Sequence, residues 1–246
     1  MITHTSAIIL RSVDYQESSK IITVLSKVHG KIALIARGVK KPKSKLSGVI
    51  EIGHILDVVY YYKTNRAVQS LTEASIKFSS ITFRQDIERA SILFATLELI
   101  DQLVHEQEEN EPVFKFLFTF IEWLSTYQSI NPSIFCYVQL RCAELIGFNL
   151  AIDIDDTKNG GYFDITHGII TKSVQSELSY KLTALQTEFL SQVLKSKNSR
   201  VFNLGMPFLE IKQLIHHMDV YFKYHIEGYK DRTSDSIFDQ MLKDYK

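Results

Sequence analysis

Residues 7–51 read AIILRSVDYQESSKIITVLSKVHGKIALIARGVKKPKSKLSGVIE, and this stretch decides the fold of the N-terminal part of the chain. It contains three short segments rich in Ile and Val, a composition typical of β-strands. His29-Gly30 separates the second segment from the third, and Pro42, Ser44 and Gly48 keep the end of the stretch out of a regular helix. The stretch therefore predicts β-strands followed by a loop.

Five such segments occur in the first eighty residues of the chain. Each is rich in Ile, Val and Tyr or alternates with a period of two: HTSAIILRSV, SKIITVLSKV, KIALIARGV, GHILDVVYYYK and AVQSLTEASIKF. Five short strands in this length fit a small closed barrel, in which no strand keeps an unpaired edge. An OB-like barrel is the obvious member of this class, but an SH3-like barrel satisfies the periodicity nearly as well.

From about residue 83 the apolar period becomes helical. The helical segments lie at 87–104, 112–127, 133–148, 179–197 and 209–228. Residues 151–173 break the pattern, and GYFDITHGIITKS within them predicts a β-hairpin closed on His167-Gly168. The sequence thus predicts an α+β protein with a five-stranded barrel domain at 1–80 and a helical domain at 81–246, into which a small hairpin at about 151–173 is inserted.

The net charge of zero conceals an asymmetry along the chain. Residues 1–70 hold eleven Lys and Arg against four Asp and Glu, a balance of +7, so the rest of the chain carries −7. Such asymmetry suggests that a domain that binds polyanions is joined to a domain with a different role. No run of about 18 apolar residues occurs, and the N-terminus lacks the pattern of a signal peptide, which predicts a cytoplasmic protein with no membrane association.

Motifs of catalysis are missing from the sequence. The phosphate-binding glycine loop, the dinucleotide-binding glycine trio and the His-Glu-x-x-His metal motif do not occur. His216 and His217 are adjacent, so on a helix they point about 100° apart and do not easily hold one metal ion together. The sequence predicts a protein that is not an enzyme and has no cofactor.

The strongest local signal is the basic segment at 31–51. Six cations fall within fifteen positions, and no acidic residue interrupts them before Glu51: Lys31, Arg37, Lys40, Lys41, Lys43 and Lys45. This pattern predicts a flexible basic loop that follows a phosphate backbone without reading its sequence. Tyr60, Tyr61 and Tyr62 lie in the fourth strand, where alternate side chains face opposite ways, so at least one is expected outside and able to stack on a base.

The run at 7–51 resembles the opening of the RecO family of recombination mediators. The matching features are Tyr15 with Glu17, Gly30-Lys31, Ala36-Arg37-Gly38, and Ser44-Lys45-Leu46 with Gly48. The resemblance implies an OB-fold and binding of single- and double-stranded DNA. It also implies annealing of complementary strands and, in the RecF-type pathway, loading of RecA onto strands coated with the single-strand binding protein SSB, together with RecR. A nucleoid-associated location follows from this function.

Charge and periodicity alone leave an alternative open, an OB-fold protein that binds RNA or takes part in translation. On the DNA hypothesis, the predicted contact residues are the cations and one tyrosine of the barrel domain: Arg11, Lys20, Lys31, Arg37, Lys40, Lys41, Lys43, Lys45 and Tyr61.

Two further expectations concern the helical domain. SSB proteins end in an acidic, aromatic peptide, and a receptor for it is predicted on the segment 209–228 at Lys212, His216, Tyr221 and Lys223. Many relatives carry a four-cysteine zinc site between the helices. The segment 151–173 holds no cysteine, and His167 is its only histidine, so the sequence predicts no zinc.

Overall fold

The computed structural model describes residues 1–196 and 199–234, with the side chains of 199 and 200 left out. The end of the helical segment predicted at 179–197 and the last part of the predicted second domain, 235–246, lie outside the described residues. The first five strands are β1 (Ile2–Tyr15), β2 (Ser19–Ser26), β3 (Gly30–Ala36), β4 (Ile55–Tyr61) and β5 (Val68–Phe78). The α-helices within the described residues are α1 (Ile87–Leu103), α2 (Glu111–Thr126), α3 (Ser133–Leu145), α4 (Ala184–Lys195) and α5 (Phe208–His225).

The five N-terminal strands close into a barrel in the order β1-β2-β3-β5-β4. All neighbouring strands are antiparallel except β3 and β5, whose parallel contact completes the closure. A five-stranded barrel of this kind is an OB-fold, so the prediction of an OB-like barrel followed by helices is confirmed. Inward residues alternate along each strand, and the loop between β3 and β4 adds Val39 and Ile50 to the same core.

The barrel and the first two helices form one compact unit. It extends from Met1 to Gln128, whereas the sequence predicts a domain that ends at residue 80. On β1, Ala7 and Ile9 face the barrel core while Ile8 and Leu10 are buried on its outer side, where α1 contacts the strand. The Arg89 guanidinium of α1 donates to the carbonyls of Leu124 and Tyr127 at the end of α2, which joins the two helices.

The second compact unit begins at Ser129. Its described part holds α3, α4, α5 and a four-stranded sheet in the order β6-β8-β7-β9. The strands of this sheet are β6 (Ala151–Ile152), β7 (Gly161–Asp164), β8 (Ile169–Thr171) and β9 (Ser179–Leu182). The predicted hairpin is present as the antiparallel pair β7–β8.

The helix predicted from residue 179 begins five positions later. Ser179–Leu182 is the edge strand β9, paired with β7. Thr183 then caps α4, because its side chain accepts the Gln186 N–H while the Gln186 side chain accepts the Thr183 N–H. The capping box explains why the helix begins after Thr183.

In the part of the chain that the structure describes, no helix combines the length and the apolar character needed to cross a membrane.

Candidate nucleic-acid interface

The loop between β3 and β4 is anchored to the barrel by its apolar residues. Val39 and Ile50 are buried, and Leu46, Val49 and Ile52 pack against the same core. Consecutive tight turns organise its backbone, and the Lys40 N–H donates to the Ser18 carbonyl of the β1–β2 turn at 2.9 Å. The structure thus anchors the predicted basic loop to the barrel core through these apolar residues, and its flexibility stays a prediction.

The anchoring directs the cations of the loop outward. Arg37, Lys41, Lys43 and Lys45 are exposed, and across residues 1–196 and 199–234 no acidic side chain forms an ion pair with any of them. Lys43 has a φ of 62°, in the left-handed region that few residues with a side chain adopt. We call Arg37, Lys40, Lys41, Lys43 and Lys45 the cationic loop.

Lys40 and Lys20 share an acidic neighbour. Lys40 Nζ donates to Asp14 Oδ2 at 2.8 Å, and Lys20 lies directly across from Asp14 in the β1–β2 register. The hydrogen bond and charge of Lys40, with a further contribution from Lys20, hold the pKa of Asp14 below its ordinary value. Glu51, the acidic residue that ends the basic segment, is paired with Arg84 at 2.5 Å, so it is already neutralised.

Lys31 and Arg11 lie apart from the loop, next to α1. Lys31 is largely buried, with its Nζ 2.5 Å from the Asp101 carbonyl oxygen and 3.5 Å from Asp101 Oδ1. Arg11 is 63% exposed and lies 3.8 Å from Asp101 Oδ2. Lys31 thus joins β3 of the barrel to α1 through Asp101, whereas most of the Arg11 side chain is accessible to solvent. Sequence spacing alone could not reveal this role for Lys31, because its partner lies 70 residues away.

The three tyrosines at the end of β4 have three different environments. Tyr60 lies in the barrel core, where its hydroxyl is 2.6 Å from His29 Nδ1. Tyr61 is exposed on the outer surface. The Tyr62 ring stacks on His29 with a centroid distance of 3.7 Å and an interplanar angle of 5°. The predicted alternation of facing is confirmed, and Tyr61 is the ring left open to a ligand.

The residues predicted to hold an SSB peptide divide between two sides of α5. Lys212, His216 and Lys223 are exposed and fall within about 40° of one another at 100° per residue. Tyr221 is buried on the opposite side, with its ring 5.6 Å from that of Phe163. Lys223 forms an ion pair with Asp231. Tyr221 therefore belongs to the core of the second unit and is not available to a peptide.

The absence of zinc from the hairpin region stays a prediction. No group of three or more His, Cys, Asp or Glu side chains with the geometry to hold a metal occurs within the described ranges. A carboxylate closes the β7–β8 turn instead. Asp164 Oδ1 accepts the His167 N–H at 3.2 Å and the Ser176 hydroxyl at 3.0 Å, and Asp164 Oδ2 lies 3.0 Å from His167 Nδ1. Burial raises the pKa of Asp164, but the hydrogen bonds from His167 and Ser176 outweigh it and hold the pKa below its ordinary value.

Comparison with known families matches both parts of the chain. Residues 1–79 match the family model described as Recombination protein O N terminal, and residues 84–234 match the one described as Recombination protein O C terminal. The chain belongs to the RecO family. It is accordingly a DNA repair and recombination protein of a family of mediators, and not a catalytic enzyme.

Curated relatives named DNA repair protein RecO agree with this assignment. The protein from Chloroherpeton thalassium is 27% identical over 258 residues, which cover 98% of this chain and 100% of the relative. The protein from Chlorobium limicola is 33% identical over 153 residues, and that from Chlorobium phaeobacteroides is 34% identical over 152. These two alignments cover 62% of this chain and only 59% and 58% of the relatives.

Proposed function

We propose that the chain binds single- and double-stranded DNA through the cationic loop and mediates recombination. The observation that carries this proposal is the set of four exposed cations without an acidic partner among the described residues, on a loop whose apolar residues anchor it to the barrel. An anchored loop presents its charges without the entropic cost of ordering a free one. Lys and Arg contacts to phosphates bind either form of DNA regardless of sequence.

Strand annealing follows from the same surface. Two DNA backbones repel each other, and a cluster of cations lowers this repulsion without a covalent step. Lys20 and Lys40 extend the surface where they flank Asp14, and Arg11 adds an accessible cation on β1. Lys31 contributes less, because its ammonium group is bound to Asp101.

The annealing of complementary oligonucleotides tests the proposal. A variant with Lys41, Lys43 and Lys45 changed to Gln is expected to anneal strands about tenfold more slowly, with and without SSB, because three phosphate contacts are lost. Its matched control changes three exposed lysines of the second unit, Lys158, Lys172 and Lys181, to Gln and loses the same charge. Equal annealing by the two variants would contradict the proposal.

The partners of the chain form part of the proposal. We propose that it acts with RecR and indirectly with RecA on SSB-coated DNA, in the cytoplasm and in association with the nucleoid, and that no zinc or other cofactor takes part. For the acidic SSB peptide, support comes from Lys212 and His216, which are exposed together on α5 beside Leu209, a residue that is 65% exposed. Unchanged peptide binding after Lys212→Glu and Lys223→Glu would rule this docking surface out.

RNA binding in translation is the alternative that the basic barrel alone permits. The relatives' names refer to DNA repair, which favours the DNA proposal. Equal affinity for RNA and DNA oligonucleotides, without strand annealing, would favour the alternative.

A further inference from the structure

The loop between β3 and β4 returns to the barrel through four residues that contact the start of the helical part of the same unit. We call residues 51–54, which lead from this loop into β4, the return arm, and residues 79–84, between β5 and α1, the junction. Arg84 of the junction pairs with Glu51 of the return arm at 2.5 Å. Both segments belong to the compact unit Met1–Gln128, so their contacts connect the loop to the helices within one unit.

His54 is the side chain that joins the loop to the junction. It is a polar residue in the interior, with only 1% of its surface exposed. Its Nδ1 lies 3.1 Å from the Val49 carbonyl oxygen in the loop, and its Nε2 lies 3.3 Å from the Ser79 hydroxyl of the junction. Because a carbonyl oxygen only accepts hydrogen bonds, Nδ1 donates to Val49, and Nε2 of the neutral ring accepts from Ser79. One buried ring thus uses both of its nitrogens, one on each segment.

Two further contacts hold the return arm in place. The Ser80 hydroxyl donates to the Ile52 carbonyl at 2.9 Å. Gly53 lies so close to α1 that a Cβ in its place would be 3.0 Å from Leu93 Cδ2. Every residue of the return arm therefore has a neighbour in the junction or in α1.

The position of the cationic loop depends on this arrangement. Its lysines lie between two attachments to the barrel core, the buried Val39 before them and the buried Ile50 after them. His54 binds the carbonyl of Val49, the residue next to Ile50, so the ring acts directly at the second attachment. Loss of this contact keeps every lysine in the chain but lets the segment that carries them adopt more conformations. The binding of phosphates would then have to restrict those conformations, which weakens it.

We infer that His54 is a positioning residue for nucleic-acid binding: it is buried away from any ligand, and it holds the cationic loop in the place that the junction and α1 set. The inference rests on the proposed function and extends it to buried residues that touch no phosphate. Because coupling between two sites is reciprocal, nucleic acid bound at the cationic loop also stabilises the contacts of the junction.

The test compares His54→Gln with His54→Asn by fluorescence anisotropy of a labelled DNA duplex and the full chain. The amide nitrogen of Asn can take the place of Nδ1 and keep the donor to Val49, whereas the longer Gln side chain reaches Ser79 in the place of Nε2. We expect His54→Gln to weaken binding by about five- to tenfold, the entropic cost of ordering about one residue, and His54→Asn by less than about twofold. The salt slope of His54→Gln should equal that of the unmodified protein, because every cation remains.

Hydrogen exchange of the unmodified full chain, followed by mass spectrometry, gives a readout that needs no variant. Binding of the duplex is expected to slow exchange in the segment 46–54 and also in the junction, where the Ile81 N–H donates to Ser79 Oγ at 3.4 Å. Slower exchange in 46–54 with unchanged exchange in the junction would overturn the inference, whether or not the His54 variants fold.

The matched control is His4→Gln, which changes an exposed histidine on β1 and should leave binding unchanged. Thermal unfolding of each variant shows whether it is folded. Equal affinities of the Asn and Gln variants, or a salt slope of His54→Gln as small as that of the Lys41, Lys43 and Lys45 variant, would also overturn the inference. If the His54 variants bind like the unmodified protein while the lysine variant does not, only this inference fails; if the unmodified protein binds no DNA, the proposed function fails as well.

Discussion

His217 is a histidine held neutral inside the second unit. It is 8% exposed, its ring lies 4.7 Å from that of Tyr180, and its Nδ1 has no hydrogen-bond partner among the described residues. Burial, with a smaller contribution from neighbouring His216, lowers the pKa of His217 from 6.5 to about 4. Between these two pH values the unfolded chain binds a proton at this position that the folded chain does not.

We therefore expect the protein to lose stability as the pH falls from about 6.5 towards 4. From pH 7 to pH 5 the loss attributed to His217 is about 2 kcal/mol. Urea unfolding followed by circular dichroism at both pH values measures it. His217→Leu is expected to reduce the difference by that amount, while His216→Gln on the exposed side keeps it. An unchanged pH dependence in His217→Leu would contradict the assignment.

Lys31 offers a second prediction at the scale of single residues. Because its ammonium group binds Asp101 and is largely buried, Lys31→Met should cost about 1–3 kcal/mol of stability. The same change at Lys43, which is exposed, should leave stability within about 0.5 kcal/mol but weaken DNA binding. Chemical denaturation and oligonucleotide titration of both variants separate the two effects. A larger loss of DNA affinity in Lys31→Met than in Lys43→Met would contradict this division.

The roles of such residues depend on partners that are distant in sequence. The cationic character of Lys31 and Lys43 is equally visible in the sequence, but only the fold places Asp101 beside one of them. Tyr221 and Lys223 are two positions apart, and the turn of α5 buries the first and exposes the second. The alternation along β4, in contrast, sufficed to predict that Tyr60 and Tyr61 face opposite ways, because a period of two follows from local geometry.

At the scale of elements, the hairpin β7–β8 depends on Asp164. Removal of this buried carboxylate leaves the donors of His167 and Ser176 without an acceptor, so we expect Asp164→Ala to cost about 3 kcal/mol. Thermal unfolding of this variant beside the exposed control Asp153→Ala measures the effect. A chelator should leave the unfolding temperature of the unmodified protein unchanged. One zinc ion per purified chain, or a chelator-sensitive unfolding temperature, would contradict the prediction of a zinc-free hairpin.

The sequence predicted elements where one pattern extended over many residues. The alternation in β1 to β5 and the helical period in α1, α2, α3 and α5 are of this kind. It missed β6 and β9, which have two and four residues and depend on pairing with distant strands. It also did not predict that the loop after β3 is anchored to the core, because Val39 and Ile50 are too widely spaced among turn residues to form a recognisable apolar pattern.

At the scale of the molecule, the compact unit that contains the barrel also contains the two helices that follow it, α1 and α2. The outer row of Ile8, Leu25 and Ile55 is fully buried, although the barrel core lies on the other face of these strands. The apolar run Ala7–Leu10 carries the sequence signal for this arrangement, since a strand with one solvated face alternates instead. The change of period places the predicted domain boundary at residue 80, between the two family models at 1–79 and 84–234, while the compact unit extends beyond it to Gln128.

This packing predicts how fragments behave. A fragment of residues 1–128 is expected to fold, whereas residues 1–80 would expose the outer apolar row and aggregate. Size-exclusion chromatography and circular dichroism of the two fragments decide the point. A stable, monomeric 1–80 fragment would contradict the view that α1 and α2 complete the unit.

The central claim, that the cationic loop contacts nucleic-acid phosphates, is tested most directly by the salt dependence of oligonucleotide binding. The four unpaired cations Arg37, Lys41, Lys43 and Lys45 predict a slope of log K against log salt of about −3 to −3.5 at about 0.7–0.9 per phosphate contact. Changing Lys41, Lys43 and Lys45 to Gln should reduce the slope by about 2 to 2.7, and the Lys158, Lys172 and Lys181 control should leave it unchanged. Binding that is indifferent to salt, or an equal slope in both variants, would contradict the claim.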